Sequence, residues 1–114
     1  AWMRTAKIDV LKKIIPLLDD LDAAIKSGEH SGVASHDPQW FAGCTLIDKN
    51  LHKTLSELGV IRIDTQGAFD PNIHEALLQV ESTEHESGQV VQELSPGYML
   101  GENVIRHAKV SVAQ

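Results

Sequence analysis

The sequence is short of several things, and each shortage removes a class of protein. It has one cysteine, Cys44, in 114 residues, so no disulfide can close within the chain and no set of thiolates can hold a metal. It also has no Asn-x-Ser/Thr glycosylation site, and the two absences together point to a reducing, intracellular compartment. Basic residues are scarce: 10 Lys and Arg stand against 16 Asp and Glu, a formal charge of -6. Without a clustered basic footprint to displace counterions, nucleic acid is not an expected partner. The longest apolar runs, such as Ile14-Ile15-Pro16-Leu17-Leu18, stop far short of the ~20 residues that span a bilayer, so no membrane is expected either. Neither a Gly-x-Gly-x-x-Gly pattern nor a Walker-type loop occurs, so the chain is not read as a nucleotide binder and no cofactor is expected. The opening Ala1-Trp2-Met3-Arg4 leads into a helical pattern instead of a signal peptide. With neither an initiator Met nor a cap, it reads as the continuation of something longer.

What is present is a 42% hydrophobic content, enough for a packed core, written in two different periods. From Arg4 to Lys26, Ile8, Leu11, Ile15, Leu18 and Ile25 recur at helical steps, with Ile14, Leu17, Leu21 and Ala24 beside them. So broad a stripe predicts burial on more than one side. Pro16 lies inside it, at a cost of ~3 kcal/mol; because the stripe keeps phase, one kinked helix is expected in preference to two. Ser27-Gly28 should end it, with Gly28 just past the last turn and a polar loop over residues 28 to 37. Asp37-Pro38 then reads as an N-cap followed by proline in the first helical position. The second helix should run to Leu58 with Trp40, Cys44, Ile47, Leu51, Leu55 and Leu58 on one face and Gly59 as its stop.

Two such helices make an antiparallel hairpin, which buries little alone, so self-association into a four-helix bundle is expected. Ile8, Leu11, Ile15, Leu18, Ile25, Trp40, Ile47, Leu51 and Leu55 are the candidate dimer interface. After Gly59 the period becomes two. Val60–Asp64, Leu77–Val80, Gln89–Leu94 and Ala108–Val112 read as short strands separated by turn residues. The fold class is therefore α+β: a helical dimerisation region over 1–59 and a compact all-β domain over 60–114.

Little here looks catalytic. Asp19, Asp20 and Asp22 read as a solvated acidic face. The six histidines are scattered, none in a His-x-x-x-His or Glu-x-x-His pattern, so no metal site is expected. His74-Glu75 is the best acid–base candidate, but it lacks a third member. Ser82, Ser87 and Ser95 lie in turns without a nucleophile elbow, and Cys44 falls on an apolar face. The chain is read as no enzyme. Gly43 inside a helix costs about 1 kcal/mol relative to alanine; it marks either close approach of another backbone, a partner's included, or drift. Trp40, Phe41 and Phe69 are aromatics of the kind that anchor interfaces.

The string Phe69-Asp70-Pro71-Asn72-Ile73-His74-Glu75-Ala76 resembles the F/L-D-P-N-x-H-E-A signature of the GrpE family, nucleotide-exchange factors for DnaK-type chaperones. Gly97-Tyr98-Met99-Leu100, Val104-Ile105-Arg106 and Ala108-Lys109-Val110-Ser111-Val112 are similar to that family's G-Y-x-L … R-V-I-R-P-A-x-V-x-V ending. Ile15–Asp22 resembles its L-P-V-L-D-N-L-E segment, and Leu55–Val60 its L-x-x-x-G-V junction. The motifs stand in family order and cover essentially the whole chain.

The resemblance implies a homodimeric co-chaperone that promotes ADP release from a DnaK-type ATPase domain in protein folding and stress response. It would be cytoplasmic in a bacterium, ahead of an organelle interior. Phe69, Pro71, Leu94, Tyr98, Asn103 and Arg106, with Gly43, are the candidate chaperone-binding face or its support. The sequence departs from the family pattern at four places: Ala23 and Asn103 replace arginines, His107 replaces a proline, and Gly101-Glu102 replaces Asn-Gly. The competing readings are a dimeric helical adaptor without exchange activity and an enzyme built on His74 and Glu75.

Overall fold

A computed structural model describes residues 2–114; Ala1, part of the opening read as a continuation, lies outside the described residues. The chain divides into two compact units, Ala1–Leu58 and Gly59–Gln114. In the first, α1 spans Trp2–Ser31 as a single helix through Pro16. It is longer than expected, and the loop foreseen over 28–37 is mostly helix. Gly28 does not end α1, which stops at Gly32 (φ 86); the short α2 (Val33–His36) follows. A glycine at 28 has another cause: a Cβ there would come 2.9 Å from Phe41 Cε2, so its absence lets α1 and α3 approach. Asp37 accepts a hydrogen bond from Trp40 N at 3.2 Å and caps α3 (Pro38–Glu57), with Pro38 in the first turn. Gly59 (φ 93) ends that helix, as expected.

α1 and α3 run antiparallel: Lys7 Nζ donates to Leu58 O at 3.1 Å near one end, and Gly28 meets Phe41 near the other. The nine candidate interface residues split. Leu11, Ile15, Leu18 and Leu55 are buried within the chain itself, and Ile8, Ile25 and Leu51 are half-buried. Trp40 and Ile47 stay open at 60% and 61% exposure. The first four thus belong to the protomer's own core, and Trp40 and Ile47 keep open surface on the outside of the hairpin. The reason is angular. At 100° per residue, α3's inner stripe runs through Phe41, Cys44, Asp48, Leu51 and Leu55, and Trp40, Ile47 and Leu58 sit on its outer flank.

The second unit holds six strands in two three-stranded sheets. One contains β1 (Val60–Arg62), β4 (Tyr98–Leu100) and β5 (Asn103–Arg106), antiparallel in the order β1-β4-β5. The other places β6 (Ala108–Ala113) between β2 (His74–Val80) and β3 (Val90–Ser95), parallel to the former and antiparallel to the latter. Strands were expected near β1, β2, β3 and β6. At three and four residues, β4 and β5 are too short to show a period. Gly101 (φ 61) and Glu102 join them as a two-residue hairpin. Positive φ at the first position alone is the type II′ pattern, whereas Asn-Gly suits type I′, so this departure from the family pattern retains a tight hairpin. Ile63, Val90, Ala108, Val110 and Val112 form the core, with Phe69, Ile73, Met99 and Val104 packed against it.

Candidate functional site

The segment Phe69–Ala76 builds a turn whose polar groups bond largely to one another. Asp70 Oδ1 accepts from Asn72 N at 2.9 Å, and Asp70 O accepts from His74 N at 2.7 Å. His74 is buried and uses both ring nitrogens. Its Nδ1 accepts from Asp70 N at 3.0 Å, so Nε2 carries the proton it donates to Asp64 O at 2.7 Å. The ring therefore ties the loop after β1 to the start of β2, and it is sealed from the solvent an acid–base catalyst would exchange with. Phe69 is half-buried beside it, ring centroids 5.9 Å apart, and joins the core; Pro71 is exposed at the turn.

A second constellation surrounds Pro96-Gly97. Arg106 donates from Nε and Nη2 to Pro96 O at 3.1 and 2.6 Å, while its guanidinium lies 5.6 Å from the centre of the Tyr98 ring. Tyr98 is only 3% exposed, so it supports the surface from beneath. Gly97 presses on backbone: an added Cβ would lie 2.2 Å from Ala108 N and 2.7 Å from Arg106 O. Asn103 is half-buried at the start of β5, paired with Leu100.

The outer surface of this unit shows residues that the sequence reading named only in part. Leu94 is exposed on β3, as are Ile61 on β1 and Leu77 and Leu78 on β2. Adjacent leucines carried a readable signal, since successive side chains in a strand point to opposite faces. Here the β2–β6 register shifts between Ala76 and Leu78, and both leucines face out. Arg62 pairs with Glu93, which also accepts from Thr65 Oγ1 at 3.2 Å, linking β1 and β3. In the helical unit Gly43 is exposed, and among the described residues nothing lies within 4 Å of an added Cβ. No backbone of the chain's own requires that glycine.

One cluster went unforeseen. Asp22 of α1 meets Asp48 and His52 of α3, the candidate metal ligands among the described residues. The spacing Asp48-x-x-x-His52 is legible, one helical turn, but Asp22 joins it only through the register of the hairpin. Among the described residues no helix is long and apolar enough to cross a membrane.

The GrpE family profile matches residues 2–114. A protein named Protein GrpE from Pelodictyon phaeoclathratiforme is 40% identical over 111 residues, covering 93% of this chain and 52% of that protein. Its namesake in Exiguobacterium sibiricum is 40% identical over 106 residues, covering 92% and 55%, and that of Aliarcobacter butzleri 38% over 103, covering 90% and 56%. The chain spans about half the length of these curated relatives. With the motifs of both units lying inside the matched region, the chain belongs to the GrpE family.

Proposed function

We propose that this chain is the bundle and β-domain portion of a nucleotide-exchange factor that promotes ADP release from a DnaK-type chaperone ATPase domain. Residues 1–59 serve dimerisation and residues 60–114 contact the chaperone. The observation that carries the reading is that the family match runs through both units, residues 2–114. The β unit adds exposed apolar side chains at Ile61, Leu77, Leu78 and Leu94, available to a protein partner. On the helical unit, Val10, Leu17, Trp40, Leu46 and Ile47 are exposed, which favours a homodimer. A bacterial cytoplasm suits the bacterial relatives.

The mechanism needs no catalytic group. A factor that binds the open-cleft state of the ATPase domain better than the closed one lowers ADP affinity, and linkage requires ADP to weaken the factor's own binding equally. Arg106, braced on Pro96 O and Tyr98, stiffens the surface beside Asn103, where the family pattern has an arginine. The test is stopped-flow release of a fluorescent ADP analogue from a DnaK-type ATPase domain, with and without this chain. Acceleration that saturates with concentration is expected. A folded dimer that gives none would overturn exchange activity and put the helical adaptor in its place.

A further inference from the structure

We propose that Asp22, Asp48 and His52 form a binding site for a divalent transition-metal ion of the zinc class, bridging α1 and α3. The inference stands on the helical unit alone and is independent of the proposed exchange activity.

The donor geometry is close to what such an ion needs. Asp48 and His52 are four residues apart on α3 and so share a face, the spacing by which helices chelate metals. Asp22 supplies the third donor from the facing helix, and the three ligand atoms lie within 4.8 Å of one another. His52 Nε2 is 3.2 Å from Asp22 Oδ1 and 3.6 Å from Asp48 Oδ1. A tetrahedral ion bonded at ~2.0–2.1 Å holds its donor atoms about 3.3 Å apart. The two His52 distances already stand near that value, and the carboxylate pair, within 4.8 Å, would have to close the remainder.

A second observation points the same way. Asp48, its side chain 20% exposed, has one oxygen, Oδ1, shielded from solvent, and apart from the 3.6 Å approach of His52 that atom has no hydrogen-bond partner among the described residues. A buried acceptor left without a donor is unfavourable, and a cation would satisfy it. A divalent ion would replace the repulsion between the two facing carboxylates by attraction to both. The Asp22 and His52 side chains are 36% and 38% exposed, which gives the ion a way in and leaves a coordination position for water. An imidazole with two carboxylates selects a first-row transition metal over Mg²⁺ or Ca²⁺, which take all-oxygen sites.

Co²⁺ titration of the full chain after chelator treatment, followed by visible absorption and competed with Zn²⁺, tests this. We expect one saturable site, displaced by Zn²⁺ and not by millimolar Mg²⁺, together with a Zn²⁺-dependent rise in melting temperature. Asp22→Asn, Asp48→Asn and His52→Gln should each weaken binding ~10-fold or more, while His30→Gln and His36→Gln leave it unchanged. Absence of saturable binding, or binding that survives His52→Gln, overturns the proposal. Should the variants fail to fold, Co²⁺ paramagnetic broadening in the unaltered chain decides: signals lost around His52 support the site, and loss centred elsewhere refutes it.

Discussion

The two units solve the burial problem differently. The β unit closes on itself: Ala108 and Val110 are fully buried, Phe69, Ile73, Met99 and Val104 pack around their cluster, and buried His74 has both ring nitrogens bonded. The helical unit buries Leu11, Ile15, Leu18 and Leu55, yet leaves Val10, Leu17, Trp40, Leu46 and Ile47 in solvent. Among the described residues, one carboxylate oxygen of Asp48 is also buried there without a hydrogen bond. A hairpin has too little surface facing inward to cover a stripe this broad. The β unit has a closed core and leaves Ile61, Leu77, Leu78 and Leu94 on its outside, whereas the helical unit leaves much of its apolar stripe itself uncovered.

The sharpest way to break this contrast is Gly97→Ala. The new methyl would strike the Ala108 and Arg106 backbone, where no side chain can swing aside, at a cost of ~3 kcal/mol or more. NMR dispersion of the β unit should collapse while helical circular dichroism persists; joint loss of both would show that the units do not fold independently. Next comes Ile47→Asp, at an exposed position of α3. It should alter protomer stability by no more than about 0.5 kcal/mol. It should also abolish any rise of melting temperature with concentration, the signature of self-association.

The third test is pH, in chelator-containing buffer. Folded Asp48 keeps its proton to about pH 6, whereas its unperturbed carboxyl releases it near 3.8. The unfolded chain therefore binds fewer protons in that window, and this group's contribution makes stability fall as pH rises from about 4 to 6. Asp22 on α1 and His52 on α3 are the charged neighbours that shape the effect, and Asp48→Asn should remove the slope in urea melts. Smallest is Gly43→Ala, which meets open space and should gain ~0.5–1 kcal/mol of helix stability. If that gain comes with weaker self-association or slower ADP release, a partner's backbone lies against Gly43.

Much of this was legible from local chemistry. Asp37-Pro38 and Gly59 bounded α3, and alternation located strands near β1, β2, β3 and β6. Gly28 misled because a glycine required by a neighbouring ring looks the same in sequence as one that ends a helix. The α3 stripe misled because apolar residues on adjacent flanks share one period, and only the packing of α1 decides which flank turns inward. β4 and β5 were too short to show alternation. In the candidate site, Tyr98 and Arg106 were named, but their roles as buried support and backbone brace depend on Pro96 O lying within reach. Asp22, Asp48 and His52 come together across 30 residues of chain, beyond what spacing within one helix can reveal.

The position of β6 also has a consequence in time. It is the central strand of its sheet, yet it is made after both of its neighbours: β2 ends at Val80 and β3 at Ser95, before Ala108 begins the strand that separates them. During synthesis those two strands must wait with unpaired edges, the Leu77-Leu78 pair among them. Their alignment can be settled only when a late segment threads between them, one edge parallel and the other antiparallel. Such non-local pairing folds slowly and exposes strand edges meanwhile. The nascent β unit therefore passes through an interval in which it presents what chaperones bind, before it has the shape proposed here to act on one.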